Sequence, residues 1–274
     1  MVTQPLPHTI QKTVPPQISV IIICKNEGKR IRRCLESIRW ADEIVIMDSG
    51  SSDNTLEICR EFTDRIFINR DWPGFGPQRR MAEEHASYDW LLAIDADEIM
   101  SPGLQDEIIA LRKRLINPDT VYRLSRLTFF CGRFIRHSGW HPDRIVRLYN
   151  RQSYRYNKAH VHEAVLCKGA RVRDLQSLLL HFTSESLADY IDKRNGYARA
   201  WAKAKHAEGK RSTITQATSR AAFAFIRHYI LRLGILDGYQ GFLIAAIQMQ
   251  YTFNKYNFLL AKNFEKESSN THEG

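Results

Sequence analysis

The sequence lacks any uninterrupted apolar stretch of about 18 residues, so it predicts no transmembrane helix. Its five cysteines are scattered and never form a C-x-x-C pair. This spacing argues against a zinc or disulfide framework and favours buried thiols in a reducing compartment. Residues 1–17 hold four prolines and no apolar segment of the kind found in secretory signals. We therefore expect a loose N-terminal tail there.

The sequence also has fewer acidic than basic residues: 30 Asp and Glu against 40 Lys and Arg, which gives a formal net charge of +10. Residues 192–232 alone hold ten basic and two acidic residues, a net charge of +8. Aromatic and aliphatic side chains interleave with these cations. Such a balance predicts an anionic partner, which would be a nucleic acid, a phosphorylated substrate or an anionic membrane face.

Short apolar runs alternate with amphipathic segments in the N-terminal half of the chain. Residues 18–24, 44–47, 65–68 and 90–94 have the composition of buried strands, and the apolar periodicity between them predicts helices. This alternation predicts an α/β fold with a mostly parallel, doubly wound sheet and right-handed crossovers. Ser101 followed by Pro102 predicts the capped start of a further helix.

The pattern changes twice beyond this region. Residues 121–182 are aromatic and Arg-rich with short strand-like pieces, and the chain beyond about residue 187 is helical in pattern. The sequence therefore predicts three regions: a tail over residues 1–17, an α/β domain over residues 18–186, and a basic, amphipathic helical extension over residues 187–274.

Polar side chains follow three of the predicted strands. Asn26, Asp48 and Asp95 each lie at or just past a strand's carboxyl end, the edge where parallel sheets bind ligands. Asp95-Ala96-Asp97 directly follows an apolar strand, where unpaired acids are costly unless a cation meets them. A divalent metal that carries a diphosphate would meet them. The bare tripeptide alone is more typical of a solvated turn, and the surrounding sequence favours the metal instead.

Three segments, taken in order, resemble a known family. They are ISVIIICKNE at residues 18–27, VIMDSGSSDNT at residues 45–55 and DAD at residues 95–97. Together they resemble the family 2 inverting glycosyltransferases, which have the GT-A fold, over about residues 18–185. The resemblance implies a Rossmann-like GT-A domain with a C-terminal helical extension.

Three further segments resemble one subgroup of that family, the lipopolysaccharide inner-core β-1,4-glucosyltransferases. They are residues 74–80, 161–163 and 234–242. The resemblance implies an inverting hexosyltransferase that moves glucose from UDP-glucose onto an inner-core heptose by metal-assisted single displacement. It also implies a divalent metal cofactor, Mg²⁺ or Mn²⁺.

The implied acceptor is a lipid-anchored, phosphorylated glycan. It places the enzyme in the cytoplasm, peripherally associated with the inner membrane. The basic C-terminal helices would then lie on an anionic membrane surface. Packing of the same helices against the catalytic domain is the alternative.

The resemblance also implies roles for the residues that would bind the nucleotide sugar. Asn26 and Glu27 would frame the base or ribose, or else begin the next helix. Asp48 would accept the imide N–H of uracil, or else form the turn that follows it. Arg79 would lie near the diphosphate, or else be a solvated surface residue. Asp95 would contact ribose or metal.

The remaining predicted roles belong to the metal and to proton transfer. Asp97 would ligate the metal, and His181 would join it or simply end a strand. Glu163 would be the general base that takes the proton of the acceptor hydroxyl. His160 and His162 would orient Glu163, or else form a metal site of their own, although their spacing matches no standard zinc pattern.

Other functions share parts of this pattern. The same catalytic core would suit a polyprenyl phosphate, capsule or protein acceptor, because the donor motifs are identical. A non-enzymatic nucleic-acid-binding module is the remaining alternative for the basic segment. No helix-turn-helix, zinc-finger or RNP-like pattern supports it, so we expect no nucleic-acid partner.

Overall fold

The computed structural model describes residues 15–114, 117–160, 162–183 and 186–271. These residues divide into two compact units. The first unit comprises the described residues up to Ala96, together with Met100–Leu124 and Val146–Ser177. The second comprises Asp97–Ile99, Ser125–Ile145 and the described residues from Leu178 onward.

Four parallel strands form the centre of the first unit: β1 (Ile18–Cys24), β2 (Glu43–Asp48), β3 (Ile66–Ile68) and β4 (Trp90–Asp95). They lie in the order β3-β2-β1-β4, and each neighbouring pair is parallel. Every residue of β2 is buried, and its central run Ile44–Met47 is apolar, as expected for a strand covered on both faces. The predicted strands are confirmed. The strand order reverses beside β1, which is where doubly wound sheets bind ligands.

The sheet continues beyond β4. β4 pairs with β8 (Asp143–Asn150) in the antiparallel direction, and β6 (Thr120–Phe130) and β11 (Arg171–His181) follow in the strand order. The sheet is therefore mixed: strands β1 to β4 are parallel as predicted, and β8 joins them antiparallel. The sequence showed only short strand-like pieces here because many positions of β11 are exposed or partly exposed, which weakens the apolar signal of a strand.

Three helices of the first unit connect the parallel strands, and a fourth precedes β6. At the start of the helix that begins at Pro102, the Ser101 hydroxyl accepts the Leu104 N–H at 3.3 Å, which confirms the predicted cap. A two-stranded sheet of β9 (Arg155–Tyr156) and β10 (Val165–Leu166) accompanies them. The helices are α1 (Ile31–Ser37), α2 (Thr55–Arg60), α3 (Phe75–His85) and α4 (Pro102–Arg112).

The second unit is mainly helical. Its core contains Phe130, Ile135, Ile244 and Ile247, and α7 packs against both α5 and α6. The predicted helical extension is confirmed, and its first helix begins one residue after the predicted boundary at 186. Its elements include most of β5 (Glu98–Met100), whose last residue belongs to the first unit, together with β7 (Arg133–Phe134), α5 (Leu187–Ala207), α6 (Ile214–Ile226), a π-helical turn (Arg227–Leu231), a 3-10 turn (Gly234–Asp237) and α7 (Gly238–Thr271).

No single helix among the described residues is long and apolar enough to cross a membrane. By length and composition alone, Ile214–Leu231 and Gly234–Lys262 pass that test as a pair, with a bend of 70° between them. The predicted N-terminal tail lies outside the described residues, apart from residues 15–17.

Candidate active site

Asn26 and Glu27, which were predicted to bind the nucleotide sugar, lie at the carboxyl end of β1. Asn26 has a φ of 55°, a left-handed conformation that Asn tolerates. Its side-chain oxygen accepts the Ser52 N–H at 2.8 Å, and its own N–H donates to the Ser51 hydroxyl at 2.8 Å. Glu27 is partly buried and pairs with Arg30 at 3.0 Å. The loops after β1 and β2 are therefore tied together, and the Asn26 side chain is exposed.

Asp48 ends β2 and is fully buried. One carboxylate oxygen accepts the N–H groups of Gly50 and Ser51 at 2.7 and 2.8 Å. The other accepts the Ser51 hydroxyl at 2.5 Å and faces the Cys24 sulfur at 3.7 Å. The structure thus gives Asp48 the turn-forming role. In this arrangement the Asp48 carboxylate has no exposed surface with which to make the predicted contact with uracil.

Two arginines and two carboxylates of the first unit form an ion-pair cluster. Nη2 of Arg79 pairs with Oδ1 of Asp95, and Nη2 of Arg147 donates to Oδ2 of Asp95 at 2.5 Å. Nε of Arg79 lies 3.4 Å from Oε1 of Glu163. The Arg79 guanidinium also lies over the Tyr156 ring, 5.1 Å from its centroid. We call Arg79, Asp95, Arg147 and Glu163 the arginine–carboxylate cluster.

This cluster is buried and charged. Arg79 is 1% exposed. Burial acts against its charged form, but the Asp95 carboxylate more than offsets this and holds the pKa of Arg79 above its usual value. Burial acts in turn to raise the pKa of Asp95, but Arg147 and Arg79 hold it well below its ordinary range. Asp95 is therefore the counter-ion of two arginines. This arrangement does not support the metal contact that was one of its two predicted roles.

Arg79 retains one unused donor. Its Nη1 is buried and has no hydrogen-bond acceptor among the described residues. A buried donor without an acceptor costs about 1–3 kcal/mol. An anionic ligand that supplied an acceptor would remove that cost, which fits the predicted place of Arg79 near a diphosphate. Of its two predicted alternatives, the solvated surface residue is wrong, because Arg79 is buried.

Gly74 lets the start of α3 approach the segment before Glu163. Its φ is 102°, and a Cβ there would lie 2.7 Å from Cα of His160. The N–H groups of Phe75 and Gly76 donate to the carbonyls of His160 and Ala159 at 3.1 and 3.0 Å. Any other residue at position 74 would be strained and would collide with this backbone. Helix α3, which carries Arg79, is thus fixed to this segment.

In the second unit, the structure brings Asp97 and His181 together. Nε2 of His181 lies 3.4 Å from Oδ2 of Asp97, and its Nδ1 lies 3.3 Å from the Thr128 hydroxyl. The Phe182 N–H donates to the Asp97 carbonyl at 2.9 Å, which fixes the two segments side by side. Both side chains keep some exposure, 21% for Asp97 and 14% for His181. A carboxylate and an imidazole are therefore available together at one place.

A cavity of about 340 Å³ opens beside His181. Arg126 lies at its wall and pairs with Asp143 at 2.7 Å. The aromatic rings of Trp140 and Tyr190 are 5.9 Å apart between centroids. The lining is thus polar on one part and aromatic on another. All of its lining residues belong to the second unit: Arg126, Thr128, Gly139, Trp140, Pro142, Asp143, His181, Thr183 and Tyr190.

Several of these residues carry no sequence motif. Arg126, Thr128 and Tyr190 are among them, and only their place in the fold reveals them. The separate metal site considered for His160 and His162 is not supported. Within the part of the chain that the structure describes, no group of three or more His, Cys, Asp or Glu side chains could hold a metal ion. Val161, between those histidines, lies outside the described residues.

Comparison with known proteins identifies the family. Residues 19–178 match the family model described as Glycosyl transferase family 2. The chain belongs to this family. The match includes Asn26, Asp48, Arg79, Asp95 and Glu163. His181 lies three residues beyond its end.

Two curated relatives of this family 2 glycosyltransferase extend over most of its length. It is 29% identical over 245 residues to the lipopolysaccharide core biosynthesis glycosyltransferase LpsC of Rhizobium meliloti, covering 86% of this chain and 89% of LpsC. It is 27% identical over 254 residues to an uncharacterized glycosyltransferase of Rickettsia conorii, covering 87% of this chain and 88% of the relative.

A solved structure shows the same fold. The mannosyltransferase PcManGT of Pyrobaculum calidifontis superimposes with a TM-score of 0.55 at 14% identity, covering 90% of this chain and 88% of PcManGT. The predicted GT-A fold with its C-terminal helices is therefore confirmed, and its sheet is mixed and curled. The protein is a glycosyltransferase related to LpsC.

Proposed function

We propose that this enzyme transfers a hexose, glucose from UDP-glucose, onto a heptose of a lipid-anchored lipopolysaccharide core acceptor. The relationship to LpsC over most of both chains supports the acceptor class. The observation that carries the proposal is the Asp97–His181 pair beside a cavity that accommodates a sugar. The nucleotide would bind at the carboxyl ends of β1, β2 and β4, with Asn26 and Glu27 at the base or ribose and Arg79 toward the diphosphate.

The Asp97–His181 pair fits a divalent cation. Cis ligands of an octahedral Mg²⁺ at 2.0–2.1 Å lie about 2.9 Å apart, and Oδ2 and Nε2 are 3.4 Å apart before any ion is bound. The Thr128 hydroxyl would accept the Nδ1 proton of His181 and leave Nε2 to the metal, as ligating histidines usually require. Two protein ligands suit Mg²⁺ or Mn²⁺, which bind few carboxylates and complete their shell with phosphates and water. The structure of PcManGT contains GDP-Man and Mn²⁺.

The bound cation would stabilise the negative charge that develops on the departing diphosphate. The protein's own residues do the rest. An acceptor hydroxyl attacks the anomeric carbon, a carboxylate takes its proton, and the bond from that carbon to the diphosphate oxygen breaks. Attack from the face opposite the leaving group inverts the configuration. Proton removal of this kind contributes about 10²–10⁴-fold to the rate.

We propose Glu163 as the carboxylate that takes the proton. Its side chain is 20% exposed, and Arg79 at 3.4 Å fixes its position. Asp143 is the second candidate, because it lines the same cavity as His181 and is 35% exposed. Trp140 and Tyr190 would contact the apolar face of the acceptor sugar.

Thermal unfolding of the full chain with nucleotide sugars tests the donor. UDP-glucose, UDP-galactose, UDP-N-acetylglucosamine and GDP-mannose are each added with and without Mn²⁺. We expect UDP-glucose with Mn²⁺ to raise the melting temperature more than either component alone. An absence of any shift that needs both sugar nucleotide and metal would contradict metal-dependent transfer.

Product analysis then tests the acceptor. Purified core lipopolysaccharide that ends in heptose should gain one hexose in the β configuration. Polyprenyl phosphate, capsule intermediates and protein serve as the competing acceptors. Faster transfer to any of these would replace the core acceptor and leave the donor assignment standing.

A further inference from the structure

A long C-terminal segment of the second unit is almost free of acids. Between Gly209 and Phe264 the sequence has a single acidic residue, Asp237, and seven Lys or Arg residues. Asp237 is fully buried. The exposed surface of this segment therefore carries positive charge only. The seven cationic residues are Lys210, Arg211, Arg220, Arg227, Arg232, Lys255 and Lys262.

The turn that contains Asp237 has its polar side inward and its apolar side outward. The Asp237 carboxylate accepts the N–H groups of Arg136 and His137 at 3.1 and 2.9 Å and the Ser138 hydroxyl at 3.1 Å. Its neighbours Ile235 and Leu236 are 52% and 55% exposed. A water-exposed turn normally shows the opposite arrangement, because apolar burial stabilises the fold.

This turn is rigidly built. A Cβ on Gly241 would overlap the carbonyl of Gly234, so the two ends of the turn are in close contact. The Arg133 guanidinium donates to the Leu236 carbonyl at 3.3 Å. The outward apolar side chains are therefore held in place by the fold.

The apolar surface extends along both helices that meet at the turn. Nine large apolar side chains within residues 223–242 are about half exposed or more. Proteins rarely expose so many apolar side chains to water in one continuous patch unless the patch binds something. We call them the helix-break surface. They are Phe223, Ile226, Ile230, Leu231, Leu233, Ile235, Leu236, Tyr239 and Phe242.

Cations accompany this surface without counter-ions. Arg220 and Arg227 are exposed, and Arg232 is partly exposed. Among the described residues from 186 to 264, no carboxylate lies within 4.0 Å of any of these three guanidinium groups. Apolar side chains flanked by arginines are typical of helices that lie in the interface of an anionic bilayer.

We propose that the helix-break surface inserts into the headgroup region of an anionic phospholipid bilayer, with Arg220, Arg227 and Arg232 at the lipid phosphates. A second copy of the chain would fit less well, because two surfaces with cations only would repel each other. Binding would need neither donor nor acceptor, so the proposal is independent of the proposed reaction.

Vesicle flotation of the full chain tests this contact. The vesicles contain phosphatidylcholine alone, or phosphatidylcholine with phosphatidylglycerol at three to one. We expect wild-type protein to float with the anionic vesicles and to bind neutral vesicles far less. The triple variant Ile235→Ser, Leu236→Ser, Tyr239→Ser should lose about tenfold or more in partitioning, because three exposed apolar groups no longer insert.

Matched controls come from the first unit. Ile109→Ser, Leu166→Ser and Val172→Ser change three side chains of 41%, 56% and 46% exposure and should leave partitioning unchanged. A Leu236→Trp variant should gain fluorescence that brominated lipids quench, whereas Val172→Trp should not.

Two results would overturn the proposal. One is equal flotation of the wild-type and the Ile235/Leu236/Tyr239 triple variant. The other is a wild-type dimer without lipid that the triple variant converts to a monomer with unchanged flotation, since a second copy would then cover the surface.

Discussion

The His181 ring is held between a carboxylate and a hydroxyl. Its Nε2 lies 3.4 Å from Oδ2 of Asp97, and its Nδ1 lies 3.3 Å from the hydroxyl of Thr128. Thr128 and His181 lie on β6 and β11, which are neighbouring strands in the sheet. A ring fixed in this way needs no reorientation to bind a cation, which lowers the entropic cost of binding.

This relationship predicts the effect of Thr128→Val. Valine keeps the shape of threonine but cannot accept the Nδ1 proton, so it no longer selects the tautomer that exposes the Nε2 lone pair. We expect Mn²⁺ affinity in the presence of UDP to fall by about 10–100-fold, measured by isothermal titration calorimetry. Thr128→Ser retains the hydroxyl and should stay close to wild type. Equal affinities in all three proteins would show that Thr128 does not position the ring.

Carboxamide substitutions at the two candidate bases should have unequal effects. Glu163→Gln should lower kcat by about 10²-fold or more while UDP-glucose binding stays near normal, because only proton removal is lost. Asp143→Asn should change kcat much less. Steady-state transfer rates and UDP-glucose titrations measure both. The reverse ranking would transfer the role of base to Asp143.

Loss of the Asp95 charge should lower the stability of the fold. Asp95→Asn leaves the buried guanidinium groups of Arg79 and Arg147 without their shared counter-ion. Breaking a buried ion pair on one side costs about 3–5 kcal/mol in free energy of unfolding, measured by urea denaturation. Glu61→Gln breaks the exposed pair with Arg32 and should change the free energy of unfolding far less. Similar losses in the two variants would argue against a special role for the arginine–carboxylate cluster.

The proposed acceptor cavity predicts a selective effect of Trp140→Leu. Leucine fills part of the same apolar space but removes the ring face available to a sugar. We expect the KM for acceptor to rise by about tenfold, since lost stacking of roughly 1.4 kcal/mol corresponds to that factor. Hydrolysis of UDP-glucose without acceptor should not change. Trp201→Leu, which alters a tryptophan that contacts Tyr256 in the helical region, is the control. Equal KM changes in the two variants would count against this cavity.

Glu83 should make the fold less stable as the pH rises. Burial raises its pKa above the ordinary value of a glutamate, although it accepts hydrogen bonds from the Tyr149 hydroxyl at 2.6 Å and the Tyr156 N–H at 3.0 Å. A group with a raised pKa binds its proton more tightly in the folded state than in the unfolded state. Stability is therefore lost as pH rises from the unfolded pKa, near 4.5, through the folded pKa.

Glu83→Gln removes this dependence and can keep both hydrogen bonds through its amide oxygen. Its free energy of unfolding relative to wild type should therefore increase from pH 4 to pH 7. Chemical denaturation at four pH values measures the difference, and a difference that is constant with pH would contradict the assignment.

The parallel half of the sheet was predictable from the sequence because each of its strands is a short, continuous apolar run. The same runs predicted that Asn26, Asp48, Asp95 and Asp97 would follow strand ends. The strands β6 and β11 were not predicted as long strands. Arg123 and Arg126 interrupt the apolar pattern of β6, β11 is partly exposed, and the pairing of both depends on distant segments.

The ion pairs and hydrogen bonds within the site were not predictable from the sequence either. The chain has 40 Lys and Arg residues, and nothing local to Asp95 indicates that Arg79 and Arg147 would be the two that neutralise it. Likewise, Asp48 uses its carboxylate for the turn that follows it, although its motif also suited a base contact. Which of two chemically sensible roles a carboxylate adopts depends on the donors that the fold brings within hydrogen-bond distance.

The sequence by itself determined the family, the α/β order of elements and the excess of positive charge, because apolar periodicity and ordered motifs are local properties. Only the tertiary structure decided that His181 meets Asp97, that Trp140 and Tyr190 share a cavity, and that the side chains of the helix-break surface point outward. These features depend on contacts between residues far apart in the chain, which composition and motif spacing do not predict.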